Sequence, residues 1–337
     1  MRIGRRATTL GGLGATLASS TAGAQQQHQQ VIFFRIGTGG QIGTYFPVGG
    51  LVANAISNPP GSRPCDDGGS CGVPGLVATA VATSGSEANV LALASGRMQS
   101  AFVQSDIAHW AQTATGLYSG KAKVEELRAI ANLYPESIHV VTRKDSGIST
   151  IGDLRGRRVS LDEQGSGTLT DARLILAAHH LSESDIQAEY LKSRAAGEKM
   201  QAGQLDAFFS VSGWPEGAIA ELAAASDIAL VPIGGPQAGA LVDQHSFFSF
   251  NEIPSGTYRN VPQTKTIGVN AIWVTTSKQP EDLIYQVTEA LWHPSTRKLL
   301  DSGHPKARLI RRETAITGLG IPLHRGAQRY YAETHTR

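Results

Sequence analysis

Apolar residues recur along the chain with two spacings, in alternating segments. Short runs rich in Val, Ile, Phe and Ala predict buried strands, and segments with apolar residues every three or four positions predict amphipathic helices. The predicted strands are residues 31–37, 76–83, 100–104, 129–134, 139–143, 157–161, 188–191, 207–211, 228–231 and 266–276. The predicted helices are residues 45–57, 86–95, 168–180, 195–202, 216–224 and 281–292.

This alternation of strands and helices predicts an α/β fold with mainly parallel sheets flanked by helices. Two stretches, 134–138 and 250–266, are interpreted as connections between two lobes. The expected organisation therefore has a first part of lobe 1 (31–137), a second lobe (138–255), and a return crossing that completes lobe 1 (256–337). Ligands of such folds bind at the carboxyl ends of the strands.

Two segments combine a strand, a glycine-containing turn and a helix start, at residues 34–46 and 157–176. A helix start offers N–H groups without intrahelical partners and the positive end of the helix dipole, so it favours anions. Glycine also lets a ligand approach the backbone closely. The alternative is a turn that serves folding only, with a packed tyrosine or a capping serine. The candidate ligand contacts are Gly39, Gly40, Thr44, Tyr45, Ser166, Gly167 and Thr168.

Polar or aromatic residues follow two further predicted strands. Gln104 and Ser105 lie where the strand at 100–104 ends, and Trp214 follows the strand at 207–211. The first two are candidate ligand contacts, although Ser105 is also a candidate cap of the next helix. Trp214 is a candidate wall of the cleft or, alternatively, a packing residue.

The N-terminus has the pattern of a secretory signal. Three arginines precede a weakly apolar stretch that ends in the small-residue triplet 22–24 (AGA). We therefore expect residues 1–24 to be removed on export, by the general or the twin-arginine route, and residues 25–30 to form a disordered leader of a periplasmic protein. Because residues 1–24 contain three arginines and no acids, the formal net charge falls from +2 to −1, which argues against a nucleic-acid partner.

The chain has two cysteines, Cys65 and Cys71, on either side of a glycine-rich segment. A close pair in an exported chain favours a disulfide. A metal site would need more soft ligands, and no histidine lies nearby in the sequence, so no metal is expected. The loop is short, so the bridge should stabilise the protein less than a long-range one would.

Motifs for catalysis or cofactor binding are incomplete. Residues 116–121 approach a phosphate-binding P-loop, but the spacing is one residue short and the required hydroxyl residue is missing. The first glycine turn lacks the dinucleotide-binding spacing, and the sequence contains no Gly-x-Ser-x-Gly elbow. The sequence therefore favours a binding protein without a cofactor over an enzyme. An exported hydrolase is the alternative from another class.

A series of short motifs in the chain resembles the TAXI family of extracytoplasmic solute receptors, which serve TRAP transporters. The motifs are IGTGG (36–40), GTYFP (43–47), CGVPG (71–75), TSGSEAN (83–89), AFVQSD (101–106), NLYPE (132–136), GSGT (165–168), DAFF (206–209), GWP (213–215), IPSGTY (253–258) and IPLH (321–324). Each motif is weak alone, but their order covers nearly the whole chain after residue 30.

The resemblance implies a two-lobed periplasmic binding protein of type II, whose lobes are joined by two hinge strands. It implies a monomeric receptor that captures a small organic acid or amino acid, such as a glutamate-like carboxylate, and delivers it to TRAP membrane permease subunits. A binding protein that feeds a sensor would share the site and differ in its partner. No arginine stands out as a carboxylate clamp, so the expected contacts are amides and hydroxyls.

Overall fold

The computed structural model describes Met1, Gly4 and residues 31–335. Apart from Met1 and Gly4, the predicted signal peptide (1–24) and leader (25–30) lie outside the described residues. The strands are β1 Ile32–Gly37, β2 Ser57–Asn58, β3 Val73–Pro74, β4 Leu76–Val81, β5 Ser100–Gln104, β6 Leu127–Pro135, β7 Ser137–Arg143, β8 Arg158–Ser160, β9 Gln187–Glu189, β10 Ala207–Ser212, β11 Ile228–Leu230, β12 Ser249–Ile253, β13 Thr264–Gly268 and β14 Asn270–Thr276. The α-helices are α1 Tyr45–Ile56, α2 Ser86–Ala94, α3 Ser105–Thr113, α4 Gly167–Ala178, α5 Ser193–Gln201, α6 Gly217–Ala225, α7 Gly235–Gln244, α8 Glu281–Leu291, α9 Pro294–Gly303 and α10 Arg325–His335.

The first lobe is built on a five-stranded sheet with strand order β4-β1-β5-β14-β6. β1 is parallel to β4 and β5, whereas β14 is antiparallel to β5 and β6. Successive side chains of a strand face opposite sides of its sheet. Accordingly, Trp273 packs with residues of α1, α8 and α10, and its neighbour Ile272 packs with residues of α2 and α3. The sheet therefore lies between two helical layers.

The second lobe repeats this architecture, with strand order β11-β7-β10-β8-β9. β7 is antiparallel to β10 and β11, whereas β8 is parallel to β10 and β9. Phe208 packs with residues of α5 and α6 on one face, and Phe209 packs with residues of α4 and α7 on the other. The structure confirms the predicted two-lobed α/β fold.

The chain passes between the two sheets at two places. Glu136 separates β6 from β7, and Val269 separates β13 from β14. β7 enters the second sheet directly from the first lobe, and β14 enters the first sheet directly from the second lobe. Each is antiparallel to its two neighbouring strands, so both sheets are mixed rather than mainly parallel. The first passage lies within 134–138. The return passage lies beyond 250–266, because β12 and β13 pair with each other before the chain leaves the second lobe. The domain boundaries at 137/138 and 255/256 remain a proposal.

Two other differences from the sequence pattern have physical causes. The predicted strand at 266–276 is two strands, because Val269 carries the chain from one lobe to the other. Helix α7 was not predicted, because its sequence GPQAGALVDQ combines proline and glycine with few apolar residues. Burial of Ala238 and Leu241 against the second lobe stabilises this helix, so packing overrides its weak intrinsic propensity.

The predicted disulfide between Cys65 and Cys71 is confirmed, with the two Cα atoms 4.7 Å apart. Sequence reasoning had no means of finding the ring of His293, whose Nε2 lies 4.0 Å from the Cys65 sulfur although the residues are 228 positions apart. The two sulfurs are bonded to each other, and the bridge fixes the excursion between β2 and β3. None of the helices in the described part of the chain is long and apolar enough to span a membrane.

Candidate functional site

A cavity of about 490 Å³ lies between the two lobes. The first lobe contributes the turn after β1, the start of α2 and the end of β5, and the second lobe contributes the ends of β8 and β10 and the start of α4. This is the edge at which ligands bind in open α/β sheets. The lining residues are Gly39, Gly40, Gln41, Ile42, Gly43, Thr44, Tyr45, Ala82, Ser84, Gly85, Ser86, Gln104, Glu136, Asp162, Ser166, Gly167, Thr168, Lys192, Ser193, Arg194, Ser210, Val211, Ser212 and Glu216.

The N-terminus of α4 lines this cavity, as the sequence predicted. Ser166 is the N-cap, and its Oγ accepts a hydrogen bond from the Leu169 N–H at 3.1 Å. Thr168 Oγ1 accepts the N–H of Val211 at 3.0 Å, so this hydroxyl ties α4 to β10. The N–H groups of the first turn lack intrahelical acceptors. The backbone start of α4 is therefore the part of the wall best suited to an anionic group.

Gln104 reaches across from the first lobe and covers Gly167. Its Nε2 donates to Asp171 Oδ2 at 3.1 Å, and its Oε1 accepts from Ser86 Oγ at 3.3 Å. A Cβ atom added at Gly167 would overlap Gln104 Oε1. Glycine at position 167 thus permits contact between the lobes. The expected reason for a glycine at this position was space for a ligand.

The turn after β1 also lines the cavity, but its hydroxyl groups already have protein partners. Thr44 Oγ1 donates to the carbonyl of Gly213 in the other lobe at 2.7 Å. Tyr45 OH donates to Glu136 Oε2 at 2.7 Å. Gly39 and Gly40 bring backbone to the cavity, as expected from their position.

Two predicted contacts lie outside the cavity lining. Ser105 is fully buried at the start of α3, and its Oγ accepts the N–H of Asn270 at 3.3 Å. Trp214 packs its ring against the ammonium of Lys306, 3.9 Å from the ring centroid. Ser105 adjoins Gln104 in sequence and Trp214 lies two positions after Ser212, but the chain leaves the cavity wall after each of these lining residues.

Three carboxyl groups of the cavity wall were not singled out in the sequence; we call them the cavity acids. Glu136 lies between β6 and β7, Asp162 follows β8, and Glu216 is the N-cap of α6. Burial raises the pKa of Glu136 to about 8, that of Asp162 to about 6 and that of Glu216 to about 7, because a buried carboxylate loses hydration. Glu136 directly follows β6 and Asp162 lies two positions after the end of β8, so a search for acids near strand ends would have found them.

The cations of the cavity wall lie at its rim. Lys192 and Arg194 are exposed, and they pair with Glu163 at 3.0 Å and Glu221 at 2.9 Å. Lys306 lies behind the wall, where its Nζ donates to the carbonyl of Pro135 at 3.2 Å. Its charge limits the rise in the pKa of Glu136 but does not cancel the effect of burial.

A second acidic group, the sealed pair, joins the lobes beside the cavity. Asp106 at the start of α3 and Asp171 in α4 have no exposed surface. Neither oxygen of Asp106 has a hydrogen-bond donor among the described residues. Burial raises the pKa of Asp106 to about 6, and burial together with repulsion from Asp106 raises the pKa of Asp171 well above its usual range. These shifts favour the protonated form of Asp171, whose carboxyl proton can supply the donor that Asp106 otherwise lacks.

The lobes are closed on the cavity. Besides the Thr44 bond, Thr170 Oγ1 donates to Glu87 Oε1 at 2.6 Å, and the Ala88 N–H donates to the carbonyl of Gly165 at 3.0 Å. Lys192 Nζ reaches the carbonyl of Thr83 at 3.4 Å. The Thr170 and Ala88 bonds join the start of α2 in one lobe to the start of α4 in the other. The structure thus shows the arrangement in which a small molecule would be enclosed.

Several solved structures are similar to this chain at low sequence identity. A protein from Bordetella bronchiseptica RB50 is 15% identical, with a TM-score of 0.52 over 91% of this chain and 84% of that chain. The periplasmic aliphatic sulphonate binding protein SsuA from Escherichia coli is 15% identical, with a TM-score of 0.44 over 90% and 79%. The substrate binding protein of an amino acid ABC transporter is 15% identical, with a TM-score of 0.44 over 81% and 99%. At these identities the likeness concerns the fold alone.

A family model provides the assignment from sequence. The model of the NMT1-like family matches residues 36–334. The match starts within β1 and ends within α10, so it includes both sheets and all of the cavity wall. The chain belongs to the NMT1-like family.

Proposed function

We propose that this chain is a periplasmic solute receptor, not an enzyme, that encloses a small organic acid or amino acid between its lobes. The observation that carries the proposal is the closed cavity of about 490 Å³, to which both lobes contribute. Sites for small ligands typically have volumes of roughly 300–1,000 Å³. A ligand that contacts both walls stabilises the closed state relative to the open state, which is how such a receptor captures its solute.

The proposed ligand contacts follow from the cavity wall. The carboxylate of the ligand lies at the start of α4, where Ser166, Gly167 and Thr168 present backbone N–H groups. Gly39 and Gly40 contact the ligand from the opposite side through their backbone. Thr44, Tyr45 and Gln104 act mainly by holding the closed arrangement, because their side chains are already hydrogen-bonded to other residues.

A ligand-library thermal-shift screen tests the receptor function. A ligand at about a hundred times its dissociation constant should stabilise the fold by roughly 2.7 kcal/mol. Glutamate, glutamine, 2-oxoglutarate and small dicarboxylates are expected to give the largest increases in Tm. A screen without any binder would contradict the proposal, and turnover of a bound compound would favour the exported hydrolase.

The motif series supports a receptor of the TAXI type, which acts as a monomer and delivers glutamate-like ligands to a TRAP permease. Uptake of the identified ligand by proteoliposomes that contain TRAP permease subunits of the same genome tests this assignment. We expect uptake only when the receptor is added. Binding without receptor-dependent uptake would instead fit a receptor that feeds a sensor.

A further inference from the structure

The charges on the cavity wall are distributed unequally. Glu136 and Glu216 are 1% and 2% exposed, whereas the rim residues Lys192 and Arg194 are exposed and have their own acidic partners. Among the described lining residues, the buried ionisable groups other than Tyr45 are thus acids. A purely anionic ligand that fills the cavity would place negative charge against these acids, where burial makes an uncompensated charge costly.

Each cavity acid retains capacity to accept hydrogen bonds. Glu136 Oε2 accepts from Tyr45 OH at 2.7 Å, Glu216 Oε2 from the Ile219 N–H at 2.8 Å, and Asp162 Oδ1 from the Glu163 N–H at 2.8 Å. An ionised carboxylate has about four lone-pair sites on its two oxygens. An ammonium group, with three donors and a positive charge, matches this wall.

We propose that the cavity selects ligands with a protonated amino group, and therefore takes amino acids in preference to oxo acids or dicarboxylates of similar shape. This inference rests on the proposed receptor function and narrows its ligand class. The ammonium group of the ligand contacts the cavity acids, and its carboxylate lies at the start of α4. The two charges of an amino acid thus correspond to the two chemically different parts of the wall.

The mechanism is an exchange of protons for the ammonium group. Burial keeps part of the cavity acids protonated near neutral pH, and a bound cation favours their ionised form. The other charges around them do not remove this effect. The positive charge of Lys306, behind the wall, lowers the pKa of Glu136, whereas the negative charge of Asp106 raises it. Glu163 raises the pKa of Asp162, and Glu221 raises the pKa of Glu216. Binding of an amino acid should therefore release protons to the solvent.

Calorimetry with matched ligand pairs tests the inference on the wild-type protein. The pairs are glutamate and 2-oxoglutarate, alanine and pyruvate, and phenylalanine and phenylpyruvate. For the pair whose side chain fits, we expect the amino acid to bind at least ~10-fold more tightly, a ratio that corresponds to one charge-assisted hydrogen bond. Titrations in buffers with different ionisation enthalpies should show proton release with the amino acid only.

The variant Glu136→Gln keeps an acceptor for Tyr45 and removes one cavity acid. It should lower the preference for the amino acid over its oxo acid by at least ~10-fold and reduce the number of protons released. Glu313→Gln, the same change at an exposed position outside the cavity lining, should leave both unchanged. If the variant does not fold, the wild-type proton count decides.

The two proposals fail in distinguishable ways. If oxo acids or dicarboxylates bind as tightly as amino acids, or binding releases no protons, the amino-group selection is wrong while the receptor function stands. If no compound of the library binds, the receptor function is wrong, and this inference with it.

Discussion

The surface between the lobes contains two acidic groups that differ in access. The cavity acids, Glu136, Asp162 and Glu216, face a space of about 490 Å³. The sealed pair, Asp106 and Asp171, has no exposed surface and no such space. Burial is the main cause of the raised pKa in both groups. A cation of the ligand can therefore replace protons at the cavity acids, whereas the sealed pair depends on its own proton.

This difference predicts opposite pH effects. Ionised cavity acids favour an amino-acid ligand, so they strengthen its binding as the pH rises through their pKa values. Closing the lobes raises the pKa values of the sealed pair above those of solvated aspartates, so the closed state binds more protons than the open state. The sealed pair therefore stabilises the closed state fully at low pH. This stabilisation is lost as the pH rises through the pKa values of the pair in the closed state. The following experiments separate the two groups.

Gly167→Ala should have the largest effect, because it keeps the lobes from closing over both groups. The added methyl overlaps Gln104 Oε1, and overpacking of this kind costs about 1–3 kcal/mol, or up to ~100-fold in affinity. Calorimetry should show the loss, and solution scattering should show no ligand-induced decrease in radius of gyration. Gly239→Ala is the matched control, since no atom lies within 4 Å of a Cβ there. Full-strength binding by Gly167→Ala would show that Gln104 gives way to the methyl group and that this contact does not limit closure of the lobes.

Asp171→Asn tests the sealed pair alone. The carboxamide donates a hydrogen bond to Asp106 at every pH, so the variant should keep its closed state above neutral pH. The ratio of the variant's ligand affinity to that of the wild type should rise with pH by up to ~10-fold per pH unit, the limit for one linked proton. Calorimetry over a pH series measures this ratio, with the exposed Asp243→Asn as control. A constant ratio would mean that the pair does not titrate when the lobes close.

Thr44→Val removes one contact between the lobes without changing either acidic group. Loss of the 2.7 Å bond to the Gly213 carbonyl should weaken ligand binding by about 1 kcal/mol, or ~5-fold, at all pH values. Thr113→Val is the control, because that hydroxyl makes an equally short bond to the His109 carbonyl within one helix. A pH-dependent loss at Thr44 would show that this bond is coupled to the acids.

Removing the disulfide should affect binding least. Cys65→Ser with Cys71→Ser opens a loop that does not line the cavity, and we expect unchanged affinity for the ligand. The free energy of unfolding should fall by about 2 kcal/mol, since the closed loop is short. Denaturant unfolding and calorimetry measure the two quantities. A clear loss of affinity would connect this excursion to the site.

Much of the candidate site could be predicted, because a helix start has a local signature. The small residues before α4 and after β1 identified Ser166, Gly167, Gly39 and Gly40, all of which line the cavity. Ser105 could not be placed in the same way. It follows Gln104 directly, and only the junction with Asn270, 165 positions away in sequence, determines that its hydroxyl points into the protein.

By itself, the sequence determined most of the strands and helices and their order, the two lobes and the disulfide. These features depend on periodicity, turn residues and short separations along the chain. Tertiary structure alone decided the mixed strand directions, the closed contacts and the environments of the acids. Glu136, Asp162 and Glu216 come from separate segments, and Asp106 and Asp171 belong to different lobes. Their pKa values are set by burial and by neighbours distant in sequence, which no local pattern encodes.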